Sequence, residues 1–324
     1  MAMVTHTRRN TPSQPGKKTF VHRTRAYWAR NGPFWIMAAP GLLLIFIFAY
    51  APLPGIAIAF KNYRFNLGIW GSEWTGFTNF GYLFATKLTG RVLFNTLFMN
   101  ALFIITGTTA GLILALLMNE VHHTVRARFY QSAMFFPSFI SAVIISYFVL
   151  ALLTTDTGMV NHLLVQAGQQ PVPWYSSPEY WPVILVLINL WKSAGFGSIL
   201  YLAGMVGINP EYYEAAKLDG ASKLNQVLYI TLPLISPVIV IMTLLAIGRI
   251  FYADFGLFYV VTRNTPQLYP STDVIDTFVY RSLKQLGDVG MAAAAGFAQS
   301  IIGFVLVLLT NMIVRRIDPD KALF

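Results

Sequence analysis

Few side chains in this chain could recognise a ligand or a partner, and they fall into two groups. The first surrounds Lys192, which interrupts an otherwise apolar run together with Asn189, Trp191 and Ser193. A lysine in hydrocarbon is costly unless it faces water or a partner, so such a residue marks a pathway by default. An aromatic face beside an amide, a hydroxyl and an ammonium suits a sugar. Two readings stay open: Lys192 faces a translocation path, or it is paired to a carboxylate or to backbone carbonyls for assembly. Arg249 and Asp254, near the outer end of a later apolar stretch, read as an ion pair, either structural or gating. The second group is the run Glu214-Ala215-Ala216-Lys217-Leu218-Asp219-Gly220, followed after nine residues by Ile230-Thr231-Leu232-Pro233. Two alanines put almost no side chain on one helical face, so another backbone can approach closely. Tyr212, Tyr213 and Leu218 offer apolar anchors for a groove. That surface is suited to docking, and an amphipathic helix lying on the membrane is the other reading.

Catalytic chemistry is missing from the sequence. With no Cys there is no thiolate nucleophile, metal ligand or redox sensor. No G-x-x-x-x-G-K-[ST] occurs, and Gly16-Lys17 lacks both the preceding glycine and a strand-to-helix setting, so ATP is not expected to bind here. H-E-x-x-H, G-x-S-x-G and clustered membrane carboxylates are absent too, which argues against a protease, an esterase or a proton-driven carrier. His122-His123 reads as a solvated pair rather than a metal site. No catalytic residue, metal ligand or cofactor is therefore expected on this chain.

The elements that position these groups are legible in local signals. Asn209 can cap a helix, Pro210 suits its first position, and Glu211 and Glu214 sit near the positive end of the macrodipole. Gly220 offers the left-handed conformation that ends the helix, Ser222 can cap a second short turn, and Pro233 bends the chain into the next apolar stretch. A helix, a kink and a second helix follow.

Composition sets the wider frame: 56% of the 324 residues are hydrophobic and 11% are charged, as expected of an all-α polytopic membrane protein. Residues 31–60, 92–119, 129–155, 224–248 and 289–314 contain no Asp, Glu, Lys or Arg, and each exceeds the roughly 20 residues a helix needs to cross. A sixth stretch, 181–203, is broken only by Lys192. Six spans are thus expected, at about 34–60, 94–118, 130–153, 181–203, 229–252 and 290–314, after a basic tail over 1–30 whose first twenty residues have a disordered composition, with the docking loop at 204–228. The first apolar run is too long, and lacks a small-residue cleavage site, for a removable signal. Counting Lys and Arg puts fourteen of the 23 on the side of the termini and the 204–228 loop against seven on the other, so both termini and that loop are expected in the cytoplasm. The net charge of +10 comes largely from the tail and implies no nucleic acid.

Among the outward loops, 253–290 should contain a surface helix, capped by Thr272, with Val274, Ile275, Phe278, Val279, Leu283 and Leu286 on its apolar side. It reads as an interface helix, or as an outer gate or docking face. Small residues at Gly107–Gly111, Ala292–Gly296 and Gly303 should serve close helix packing. Gly195 and Gly197 should loosen the helix beside Lys192.

The pattern Glu-Ala-Ala, three residues, Gly, nine residues, Ile, one residue, Leu-Pro resembles the cytoplasmic-loop signature of permease subunits in binding-protein-dependent ABC importers. Trp191 to Phe196, Asp273-Val274-Ile275-Asp276-Thr277 and the tail Ile317 to Phe324 look like the carbohydrate-uptake branch, most similar to oligo- and polysaccharide permeases of the aldouronate and alginate type. The resemblance implies an inner-membrane subunit of an ATP-driven importer. An ATP-independent transporter or channel is the alternative. It also implies a second related permease chain, two ATPase subunits carrying ATP and Mg, an extracytoplasmic solute-binding protein and a saccharide substrate. In that setting Glu211, Glu214, Ala215, Ala216, Leu218, Asp219 and Gly220 form the ATPase-coupling surface, with Glu214 reaching a basic residue of the ATPase. The basic tail has no assigned counterpart.

Overall fold

A computed structural model describes residues 20–84, 87–121, 125–319 and 322. The basic residues before Phe20, the His122-His123 pair and Asp320, Lys321, Leu323 and Phe324 lie outside the described residues. The chain forms two compact units, Met1–Gly55 and Ile56–Phe324. In the first, a helix runs over Phe20–Ile45 and widens into a π turn at Phe46–Tyr50. The basic residues Arg23, Arg25 and Arg30 thus lie on a helix continuous with the first apolar run.

Among the described residues, five helices are long and apolar enough to cross a membrane: Asn31–Phe60, Gly90–Val121, Pro178–Val206, Lys223–Gly248 and Val289–Arg316. They correspond to expected spans one, two, four, five and six. The third expected span, 130–153, is not one straight helix. It divides into Ala127–Phe139 and Ala142–Leu153, which meet at 91°. The cause is local: Pro137 cannot donate a backbone bond, the chain narrows to a 3₁₀ turn over Phe136–Phe139, and the Ser141 hydroxyl then caps a new helix by accepting from Ile144 N. Apart from a two-residue ladder pairing Lys61 with Trp74 and Asn62 with Glu73, the described fold is helical.

The second unit has two apolar cores on the same helices. One gathers Met99, Ile145, Val149, Trp181, Leu185, Leu257, Phe258 and Val274; the other gathers Ala115, Met118, Tyr201, Leu202, Met205 and Ile235. Span two contributes Met99 to one and Ala115 to the other, and span four contributes Leu185 and Tyr201. Lys192 lies between them.

Glycines bring the helices together. Gly111 faces Gly197 and Tyr201 of span four, and a methyl on Gly303 would come within 2.6 Å of the Gly248 carbonyl oxygen. Internal packing is the use of both. Gly195 does not loosen span four, which is one unbroken helix over Trp181–Val206. It lets that helix sit directly on the Met134 carbonyl, where a methyl would overlap backbone.

Candidate functional site

The 204–228 loop folds as its signals require. Asn209 Oδ1 accepts from Glu211 N at 3.1 Å, capping the helix Pro210–Leu218. At its other end Gly220 has φ +79°, Gly220 N donates to Lys217 O at 3.1 Å and Ala221 N to Ala216 O at 2.8 Å, a Schellman closure. Ser222 then caps Lys223–Gln226 by accepting from Asn225 N. Glu211, Glu214, Ala215, Asp219 and Gly220 are exposed, Ala216 is half-buried, and Leu218 is 89% exposed. All seven candidate residues are therefore on one short element, with an apolar side chain in the open.

Three bonds tie the loop together and to the spans, one of them from the helix Pro210–Leu218 itself. Tyr213 OH and Thr231 Oγ1 lie 3.0 Å apart, Gln226 Nε2 donates to Ala221 O at 3.1 Å, and Lys223 Nζ meets Glu120 Oε2 at 2.7 Å. Tyr213 is thus a brace to the foot of span five, not an outward anchor. A displaced loop helix would pull on spans two and five.

The second site lies between the two cores. Span five ends at Gly248 rather than 252, and the chain crosses Arg249–Asp254 without regular structure before a π turn at Gly256–Val261. Irregular backbone needs its polar groups satisfied where lipid replaces water. Asn100 Nδ2 donates to Ile250 O at 2.8 Å, Gln299 Nε2 donates to Phe251 O at 2.7 Å, and Ala253 N donates to Asp276 Oδ2 at 2.8 Å. At about 1.5 Å per residue, Asn100, Lys192 and Gln299 each lie roughly 15 Å along their helices from Gly90, Trp181 and Val289. A polar belt at mid-span depth results.

Within that belt Lys192 Nζ approaches Asp254 Oδ2 at 3.6 Å, with the side chains 24% and 42% exposed. Asp254 is therefore the partner of Lys192, and the expected Arg249–Asp254 pair does not form. Arg249 is the residue at which span five stops, and it is exposed. Lys192 has a carboxylate partner, and the pair is partly exposed. Asp254 Oδ1 also accepts from Leu257 N at 3.2 Å, fixing the turn that follows. Asn189, Lys192 and Ser193 lie within about 100° of one another on the helix, whereas Trp191 projects from another side and is half-exposed. Ser193 Oγ donates to its own helix at Asn189 O, 2.6 Å away.

At the opposite ends of these spans from the 204–228 loop lies the helix Ile275–Leu286. Thr272 does not cap it: its hydroxyl closes the preceding turn by donating to Leu268 O, and the N-cap is Val274, whose N–H donates to Thr277 Oγ1. Asp273, fully buried, receives Arg281 Nη2 at 2.7 Å and Thr277 Oγ1 at 3.1 Å. The Arg281 guanidinium also stacks 4.1 Å over the Tyr269 ring. Val274 is buried, but Leu283 is exposed beside Lys284 and Gln285. Burial pushes the Asp276 carboxyl above the usual carboxylate range, opposed by the hydrogen bonds from Ala253 and Gln299.

Asn100, Gln299, Asp276 and Tyr213 carry much of this geometry, yet a search for charge-free windows passes over the first two. A lone amide inside an apolar stretch is the signal that points to them.

Residues 107–320 match the family described as "Binding-protein-dependent transport system inner membrane component". Protein LplB of Bacillus subtilis (strain 168) is 34% identical over 291 residues, covering 90% of this chain and 91% of that protein. The polygalacturonan/rhamnogalacturonan transport system permease protein YteP of the same organism is 35% identical over 286 residues, 88% of each chain. A solved bacterial ABC transporter involved in the import of the acidic polysaccharide alginate superposes with a TM-score of 0.82 at 33% identity, covering 91% of this chain and 99% of that chain. The bacterial alginate ABC transporter in complex with an alginate pentasaccharide-bound periplasmic protein gives 0.81 at 34% identity, with 91% and 98% covered.

Proposed function

Because the chain belongs to the family of inner-membrane components of binding-protein-dependent transport systems, and is a sugar- or polysaccharide-importing ABC permease subunit, we propose that its own cargo is an acidic oligo- or polysaccharide. The observation that carries this reading is Lys192, a partly open cation in the polar belt between two apolar cores. A uronate carboxylate entering the belt can exchange with Asp254 as the partner of Lys192, and Asp254, whose side chain is 42% exposed, then keeps the bond from Leu257 N and takes up water in place of the ammonium. Asn189 and Ser193 on the same helix side add hydrogen-bonding groups. The acidic cargo of the alginate importer agrees with this charge.

In this reading two permease chains enclose the path and move it by alternating access. Both termini and the 204–228 loop face the cytoplasm, as the Lys and Arg distribution supports. ATP and Mg bind on two ATPase subunits, and the exposed helix Pro210–Leu218 enters a groove on one of them, Glu214 meeting a basic side chain. Tyr213, Gln226 and Lys223 pass the resulting displacement to spans five and two. A solute-binding protein delivers cargo at the other face.

The test is uptake by the reconstituted complex with its binding protein, using size-matched oligouronates and neutral oligosaccharides. Oligouronate uptake that is lost in Lys192→Met supports the assignment. Equal uptake of the neutral sugar, undiminished by Lys192→Met, overturns the acidic cargo and leaves the importer class intact.

A further inference from the structure

We infer that Asp276 is a positioning residue, linking the outer helix Ile275–Leu286 to the Lys192–Asp254 pair so that docking on that helix is registered in the middle of the path. This rests on the importer reading above. The backbone of the Arg249–Asp254 segment is held at three points by side chains of other elements, and two of the three come from long spans: Asn100 on Ile250 O and Gln299 on Phe251 O. The third is Asp276 Oδ2, which accepts from Ala253 N at 2.8 Å, immediately before Asp254 in sequence. A shift of about an ångström at Ala253 is enough to make or break an ion pair that stands at 3.6 Å.

The helix is built to transmit such a shift. Asp273 fastens its first turn to its second: one buried carboxylate holds both Thr277 and Arg281, and Arg281 is in turn stacked on Tyr269. The helix therefore moves with its own start, while Leu283, Lys284 and Gln285 lie open for a protein partner. Asp276, two turns before Leu283 and on nearly the same side of the helix, is half-buried and holds the 249–254 segment through Ala253 N. The two acids of Asp273-Val274-Ile275-Asp276-Thr277 thus divide the work: one stiffens the lever and the other joins it to the path. A carboxylate accepting a backbone N–H makes a stronger bond than a neutral acceptor.

The experiment uses the full complex with its ATPase and binding protein, comparing wild type, Asp276→Asn and Asp276→Ala. Asn keeps an acceptor oxygen; Ala removes it. ATP hydrolysis is read with and without saccharide-loaded binding protein, and binding of that protein is read separately. The chain has no Cys, so a single Ala253→Cys reporter, which keeps the backbone N–H, gives a clean labelling rate at the joint. Expected for Asp276→Ala are normal assembly, basal hydrolysis and binding, with stimulation reduced about tenfold and no change in labelling on docking. Asp276→Asn retains most of both responses. Wild-type stimulation in Asp276→Ala overturns the link, and so does a failure of that variant to assemble, since the role would then be purely structural. If the loaded binding protein neither binds nor stimulates the wild-type complex, it is the importer reading that fails.

Discussion

Gly220 allows the geometry of the loop helix to be tested apart from its charge. Its φ of +79° is left-handed, and a methyl placed there would meet nothing within 4 Å. Any cost of substitution is therefore conformational. Holding an L-residue in that region costs about 1–2 kcal/mol, with β-branched residues at or above the upper end. The turn is closed by two backbone bonds, Ala221 N to Ala216 O and Gly220 N to Lys217 O, each contributing about 1 kcal/mol. Gly220→Val therefore removes nearly all that the closure contributes, and at ~1.4 kcal/mol per decade the closed turn loses about ten- to thirtyfold in population. Asn accepts the left-handed conformation more readily than other non-glycine residues. The expected order of damage is Val, then Ala, then Asn, read as saccharide-stimulated ATP hydrolysis and uptake normalised to complex yield. Yield itself should not change, because no span is touched. Wild-type coupling in Gly220→Val, or equal damage from Asn and Val, would refute the left-handed cap as the reason for glycine here.

Three further outcomes follow from other residues. Glu214→Lys leaves the Asn209 cap and the Tyr213 brace intact but reverses charge on the exposed face, a change on the order of 1–3 kcal/mol across a docked groove; uptake should collapse with normal membrane insertion, measured by transport and by ATPase co-purification. Gly195→Ala drives a methyl into the Met134 carbonyl, which no rotamer change relieves, so the complex should lose about 1–3 kcal/mol and melt earlier in detergent, whereas Gly197→Ala, with open space around it, should melt like wild type. Lys192→Met leaves Asp254 without its ammonium partner, but Asp254 is 42% exposed and keeps the bond from Leu257 N, so assembly should survive while acidic uptake falls; loss of the complex would show that the pair is structural after all.

Much of this arrangement is readable in the chain because its signals are local. The cap at Asn209, the turn at Gly220, the Ser222 cap and five of the six apolar runs depend on residues close in sequence. The 91° break at Pro137 was within reach too, since a proline and a capping serine lie four residues apart, yet the apolar count alone hides it. What could not be read were pairings across the fold. Asp254 choosing Lys192 over Arg249, and Asp276 reaching Ala253, depend on where span five stops, and that stop is set by side chains from spans two and six. Gly195 was misread for the same reason: its purpose is set by Met134, sixty residues earlier.

The way span five is finished also bears on how the chain is made. Synthesis runs from the amino terminus, so Asn100 is already in place when Arg249–Asp254 emerges, but Asp276 and Gln299 are not. Until the last span enters, the Phe251 carbonyl has no donor from Gln299, and an unsatisfied peptide group in lipid costs several kcal/mol. The penultimate span is consequently an incomplete insertion product that only the final helix can settle. Chains truncated before residue 299 should be held at the insertion machinery or degraded, even though spans one, two, four and five are each long and apolar enough to enter on their own.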